Sequence, residues 1–474
     1  MATVARTRGI ERRSIDVIPD SERHGHPFSQ FTLWCGANLQ ITAIVDGALA
    51  VVFGADPIWA IIGLLIGNLF GGAVMALHSA QGPRLGLPQM ISSRAQFGVI
   101  GAILPLILVV IMYLGFAATG TVLTGQAINL IIGVDLPWVG IVIFGLLTAI
   151  TAIVGYRWIH RLGRIASVLG IIGLGWLAIQ LFTTFDVAAH VGVKGFDIVS
   201  FGLAVALGAG WQLTFGPYVA DYSRYLPRST STKATFWFTY GGSVIGSMIS
   251  MTIGALIAAV PSAEGGTAFT KNQVGFVGEI AGGGLLALAL YLVIVVGKLT
   301  VNTLNAYGGA MTMLTTVSAL RKEARISTVA RAAYIAAFIA VSVIIAIGAS
   351  SDFINLFKNF ILVLLLVFTP WSAINLIDYY WVSRERVDIP ALYDADGRYG
   401  AFNWPVLGCY LFGILVQIPF VAQTLYTGPL AELMGGVDVS WIIGLVLTAA
   451  VYLPIARAQN RAPAQMIYPA EVNE

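Results

Sequence analysis

Twelve long apolar runs follow one another along the chain. They lie near residues 31–53, 57–80, 100–124, 137–154, 164–185, 197–220, 234–260, 281–316, 328–348, 357–381, 402–423 and 440–457. Each approaches or exceeds the roughly 20 residues that a helix needs to cross a bilayer. Lipid offers no partner to a backbone N–H or C=O, so such a run can span only as a helix that satisfies its own backbone. Composition agrees: 57% of the 474 residues are hydrophobic and 10% charged, where a soluble domain carries about a quarter charged. The chain therefore reads as an all-α integral membrane protein with about twelve transmembrane helices.

Basic residues orient these spans, because they gather on the cytoplasmic side. With Arg6, Arg8, Arg12, Arg13 and Arg23 placed inside, 22 of the 26 lysines and arginines fall in inward loops and tails. Lys194, Lys271 and Lys358 fall outside, and Lys298 lies in the membrane. Both ends are then cytoplasmic, and the expected location is the plasma membrane. Met1–Pro27 is polar and arginine-rich, lacks the apolar core of a signal peptide, and reads as a cytosolic tail. Cys35 and Cys409 both sit in apolar runs, so no disulfide framework is expected. No P-loop, zinc-ligand cluster, nucleic-acid module or hydrolase elbow appears. The expectation is a transporter rather than an enzyme or channel, with no cofactor, no metal centre and no evident protein partner. The lipid bilayer is its one large partner.

Three features break the apolar monotony. Lys298 stands in the eighth run, and ionisable residues at that depth are read by default as lining an ion or substrate path. At 100° per residue, Lys298, Asn302 and Asn305 fall within roughly 60° of one another and form one polar stripe. In the first run, Trp34-Cys-Gly-Ala-Asn-Leu-Gln40 places glycine, asparagine and glutamine in mid-membrane. In the sixth, Gly208-Ala-Gly-Trp-Gln-Leu-Thr-Phe-Gly-Pro217 holds three glycines and a proline. Interrupted helices at corresponding places in two halves point to a transporter binding site. The plainer alternative is that the glycines serve close packing. A second buried ionisable group, Asp46, lies in the first run as a proton carrier or a partner for backbone donors.

These residues resemble the nucleobase:cation symporter-1 family, of the purine–cytosine permease type. The likeness runs from Phe28 to about Arg457. It rests on Trp34–Gln40, Ile66-Gly-Asn-Leu69, Gly82-Pro-Arg-Leu-Gly-Leu-Pro88 through Gly98, Pro217-Tyr-Val-Ala-Asp221-Tyr-Ser-Arg224, and Asn302-Thr-Leu-Asn305-Ala-Tyr307. The resemblance implies the LeuT-type fold of two inverted five-helix repeats plus two C-terminal helices. Its expected boundaries are a tail over 1–27, repeats over 28–190 and 191–383, a final helix pair over 384–457, and a tail over 458–474. It also implies alternating-access uptake of a nucleobase or related small heterocycle.

A flat ring with amide-like edges needs aromatic faces to stack on and neutral donor–acceptor side chains to read it. By the resemblance, Trp211 and Phe116 supply the faces, and Gln40, Gln212 and Asn302 read the edge. Tyr113 stands where some relatives carry glutamine, and Asn38 and Asn305 are secondary contacts. Each has a bland alternative as packing or interhelical hydrogen bonding. In sodium-coupled relatives the ion lies between Gly36 and Leu39 of the first span and Gly297, Thr300 and Val301 of the eighth. Thr300 keeps a hydroxyl there, but Val301 has no oxygen, so the sodium site reads as incomplete. Lys298 beside it suggests proton coupling, or an ammonium standing in for the ion. The alternatives are a sodium-coupled nucleobase or hydantoin symporter and a LeuT-fold carrier of amino acids or other small zwitterions. The charge runs Arg157-Trp-Ile-His160-Arg161 and Arg384-Glu-Arg386 read as topology signals and headgroup contacts. Asp221 and Arg224 read as a structural or gating pair.

Overall fold

The computed structural model describes residues 16–154, 156–261, 268–321 and 328–469, and the side chains at 154, 156–167, 315, 318–321 and 328 are outside that set. The charge run Arg157–Arg161, Arg164, Arg321, Lys322, Arg325 and the arginines before residue 16 therefore lie outside the described side chains.

All twelve apolar runs are helical. The helices are α1 (Phe28–Asn38), α2 (Ile41–Val52), α3 (Pro57–Leu85), the short α4 (Gln89–Ser92) and α5 (Arg94–Phe97), α6 (Ile103–Ile132), α7 (Pro137–Val154) and α8 (Tyr156–Thr184). They continue with α9 (Ile198–Leu213), α10 (Gly216–Ser223), α11 (Thr232–Ala259), α12 (Gln273–Ile280), α13 (Gly284–Arg321), α14 (Thr328–Ala349), α15 (Phe353–Leu376), α16 (Trp404–Leu415), α17 (Pro429–Leu433) and α18 (Ser440–Gln459). A π-helical stretch, Ile377–Val382, prolongs α15. Contacts divide the chain into two compact units. One holds Val17–Met112, Leu181–Ala263 and Asp352–Glu474; the other holds Tyr113–Gln180 and Glu264–Ser351. These units cut across the repeat boundaries expected from the sequence.

In the first unit, α1 with α2, α3, α9 with α10, and α11 pack together. Glycine makes this possible. A Cβ on Gly208 of α9 would lie 2.6 Å from the Leu64 carbonyl of α3, and Gly67, Gly71, Gly47 and Gly254 likewise face backbone of the neighbouring helix. Without a hydrophobic drive between helices in lipid, such close approach and its dispersion contacts hold a bundle together. The sixth span is thus less broken than its composition suggests. Gly208 and Gly210 are packing positions; Gly210 faces Ile361 and Leu365 of α15. The interruption is only Thr214–Phe215, both right-handed, and the Thr214 hydroxyl donates to the Trp211 carbonyl at 2.7 Å.

The first span is different. Its two halves, α1 and α2, meet at 62°. Gln40 is fully extended at φ −150°, ψ 159°. Local groups take up the freed carbonyls: Gln40 Nε2 donates to Ala37 O at 2.9 Å, and Ser250 Oγ to Asn38 O at 2.8 Å. The break expected here is present.

The polar ends of the first unit are more ordered than tails and charge runs imply. Ile18 is fully buried and donates its N–H to Gly86 O at 3.0 Å. The buried Arg23 donates to Ile18 O at 3.0 Å and to the Pro83 carbonyl. Ile467 bonds Val387 and Ile389 through backbone at 3.0 Å each. Arg228 lies 3.0 Å from Asp20 and 3.7 Å above the Tyr468 ring, tying both terminal segments to one loop. The charge run Arg384-Glu385-Arg386 is tied into the protein itself. Arg384 and Glu385 form a left-handed turn (φ 49° and 61°), Glu385 pairs with Arg84, and Arg386 donates to Ser383 O and Ala464 O. Asp221 accepts from the Gln89 backbone N–H at 2.8 Å.

The second unit is built from α7, α13 and α14 packed on one another, with α12 against α13. The part of α6 from Tyr113 onward and the part of α8 up to Gln180 also belong to it.

Asp56 shows how a connection between spans is held. It caps α3 through Ile58 N–H at 2.9 Å, and accepts from Gly192 N at 3.0 Å and Lys194 N at 3.1 Å. Burial raises its carboxyl, but the N–H groups of Lys194, Ile58, Gly192 and Val193 outweigh that and hold it below the usual carboxylate range. A depressed folded value stabilises above the unfolded carboxylate range and is lost as pH falls through the folded value. The melting temperature in detergent should therefore drop on that acid limb. Asp56→Asn should flatten the limb and cost about 1 kcal/mol at neutral pH. In the bundle, Gly254→Val should cost about 1–3 kcal/mol by overpacking and lower the melting temperature. Gly408→Ala, with nothing within 4 Å of its added Cβ, should not.

Candidate substrate and ion site

The expected site residues fall in two groups, one on each unit. In the first unit, Trp211 is buried and its indole N–H donates to Asn38 Oδ1 at 2.6 Å. Asn38 Nδ2 donates to Trp34 O at 2.7 Å and Ser243 Oγ at 3.2 Å. Ser243 donates to Gln212 Oε1 at 2.6 Å, and Gln212 Nε2 donates to Asn68 Oδ1 at 2.7 Å and Ser247 Oγ at 3.0 Å. A glutamine amide has two donors and one acceptor oxygen, so every group on Gln212 is engaged. The structure brings Asn38, Trp211 and Gln212 together, as helix-to-helix hydrogen bonding that fixes the tryptophan. In this conformation the Asn38 amide bonds its own helix, α9 and α11, and the Gln212 amide bonds α3 and α11.

Gln40 is only half-buried and caps α2 at the hinge. Around Trp211 the faces are aromatic. Phe215 meets it edge-on at 5.9 Å, and Trp34 lies 5.2 Å from Phe215 and 5.5 Å from Tyr222. The carbonyl of Gly36 accepts the Leu39 N–H at 3.3 Å. Asp46, two turns of α2 beyond the hinge, is fully buried.

Sequence reasoning did not single out Trp34, Asn68, Ser243, Ser247 or Ser250 as site residues. A signal was present: Ser243, Ser247 and Ser250 recur at i, i+4 and i+7, one face of a helix.

In the second unit, Lys298 and Asn302 are buried at 3% and 2% exposure on the face of α13 that meets α6. Asn302 Nδ2 donates to Ala117 O at 2.9 Å and Thr121 Oγ1 at 3.1 Å. Its Oδ1 is buried and has no hydrogen-bond partner among the described residues. Gly120 leaves the space that the lysine fills, since a Cβ there would lie 2.8 Å from Lys298 Cε and would meet Asn302 Oδ1. Lys298 therefore shares the face of Asn302. On the ion face, the Thr300 hydroxyl donates to Val296 O at 3.2 Å. Gly297 and Val301 are half-exposed, and Val301 adds no oxygen. Tyr113 packs its ring on Gly308, while Phe116 and Asn305 are half-buried.

A broken first span, a stripe with a buried lysine, and a family pattern matched along most of the chain now stand together. The model of the family described as "Permease for cytosine/purines, uracil, thiamine, allantoin" matches residues 17–444. The chain belongs to this permease family.

The putative purine-cytosine permease YxlA of Bacillus subtilis is 37% identical over 94% of this chain and 95% of its own length. The purine-cytosine permease fcyB of Emericella nidulans is 26% identical over 94% and 88%. Among solved structures, the inward-facing conformation of Mhp1 has a TM-score of 0.76 at 18% identity, covering 98% of this chain and 99% of that one. The closed conformation of Mhp1, a nucleobase-cation-symport-1 family transporter with bromovinylhydantoin bound, gives 0.71 at 19%, covering 95% and 96%. These establish the LeuT-type fold, and the permease is a multi-pass membrane transporter rather than an enzyme.

Removing Gln212 from this permease strands three partners at once. Gln212→Leu should lower the detergent melting temperature by the equivalent of about 1–3 kcal/mol. The double variant with Asn68→Leu should lose less than the sum of the single changes, because the pair shares one hydrogen bond.

Proposed function

We propose that this permease imports a nucleobase or closely related heterocycle by alternating access, and that the transport is coupled to protons. Both ends of the chain then face the cytoplasm across the plasma membrane, as the distribution of basic residues favours. The observation that carries the substrate reading is Asn302. Its buried Oδ1 has no partner among the described residues, and an unsatisfied acceptor in a membrane core is costly. A ring N–H at the edge of a nucleobase is the group it lacks. In the same unit, Phe116 offers an aromatic face suited to such a ring. The purine-cytosine names of relatives that match over most of their length support the same class.

For coupling, Val301 and the committed Thr300 hydroxyl argue against a sodium ion, which wants several oxygen ligands. Lys298 is the cation already at that level of the span, and a buried lysine can load and release a proton. Reconstituted into liposomes, the protein should accumulate radiolabelled cytosine or a purine in sodium-free buffer when a proton gradient is imposed. Accumulation that requires sodium and ignores the gradient would overturn the proton reading. Lys298→Ala should abolish accumulation while expression is spared. In a thermal-shift panel of cytosine, adenine, hypoxanthine, uracil, allantoin and a hydantoin, at least one ring should raise the melting temperature. Asn302→Leu should erase that rise; a rise from amino acids alone would sink the substrate class.

A further inference from the structure

The first unit carries one ionisable group that the site above does not use. Asp46 sits on α2, the half of the first span that follows the 62° bend. It is 0% exposed, and neither carboxyl oxygen has a hydrogen-bond partner among the described residues. Its surroundings are closely packed: Gly47 meets Met251 backbone, and Gly254 of α11 meets the Ile44 carbonyl.

The helices packed against α2 are α3, α9, α11 and α15. Their titratable or charged groups are engaged elsewhere or lie apart. On α3, His78 bonds Ser372 and Gln89, and Arg84 pairs with Glu385. On α11, Lys233 is exposed and Tyr240 stacks on Phe236. On α15, Lys358 donates to Thr424 and lies over the Phe53 ring; Asp378, on the π-helical continuation, accepts from Gln96 and Tyr452. The helix α9 has no such group. No cation or hydroxyl among them reaches Asp46.

An isolated carboxylate in so apolar a place is not tolerated, whereas the neutral acid is. We propose that Asp46 is a proton-binding site of the transport cycle, an inference that rests on the proton-coupled reading above. In the conformation described here its carboxyl holds the proton. When α2 swings about the Asn38–Ile41 hinge and admits water, the O–H bond breaks. Its electron pair stays on the carboxylate and the proton passes to water. The hinge, having its carbonyls partly capped by Gln40 and Ser250, supplies the motion without breaking a helix. The unit that bends thus carries its own titratable group, separate from Lys298 on the other unit.

Infrared spectra of purified protein in light and heavy water test the proton directly. A neutral-carboxyl stretch that shifts on deuteration should be present at neutral pH, lost in Asp46→Asn and retained in Asp46→Glu. The same band intensity in wild type and Asp46→Asn would overturn the proposal. In liposomes, Asp46→Asn should keep exchange of labelled for unlabelled substrate but lose accumulation driven by a proton gradient. Accumulation equal to wild type would also overturn it. A wild-type protein that transports but ignores the gradient defeats the coupling reading, and Asp46 as its proton carrier falls with it. Should Asp46→Asn fail to fold, Asp46→Glu decides: a retained band and restored accumulation support the site, and a missing band defeats it.

Discussion

Backbone groups that lipid cannot hydrate dictate where this protein is regular and where it can bend. Most spans satisfy themselves as uninterrupted helices. In the first and sixth spans the ladder is interrupted, and each interruption comes with its own side-chain remedy. Gln40 and Ser250 take carbonyls at the bend of the first span, and the Thr214 hydroxyl takes the Trp211 carbonyl in the sixth. The polar residues of these spans therefore have two duties. Some stabilise a deviation in the chain, and others are left over for a ligand or a proton.

That division explains what was legible in the sequence. The twelve spans could be read because hydropathy at this length has one physical solution, and the stripe of Lys298 and Asn302 because helical spacing is rigid. The duties of Asn38 and Gln212 were not legible. A lone amide in an apolar span can face a ligand or a neighbouring helix, and the outcome depends on which groups stand opposite. Here Asn68, Ser243 and Ser247 stand opposite, and their relation to Gln212 exists only once three helices have packed. The glycines of the sixth span posed the same ambiguity. Composition suggested a broken helix, but Gly208 and Gly210 permit close contact while the helix passes almost unbroken. The turn at Arg384–Glu385 was illegible for another reason, since non-glycine residues rarely take positive φ.

The candidate site has a matching logic. One unit offers a tryptophan locked by an amide and a hinge whose polar groups are spoken for. The other offers a lysine and an asparagine side by side, with one acceptor unsatisfied among the described residues.

The joined terminal segments have a consequence of a different kind. Arg228 is gripped from one side by Asp20 and from the other by the ring of Tyr468, while Ile18 and Ile467 are stitched to Gly86 and to Val387 and Ile389. Segments far apart in the chain are thereby joined into a single buckle. These segments belong to the load path of the loops they grip. Trimming them to improve a crystal, or hanging a reporter close to them, is equivalent to loosening those loops themselves.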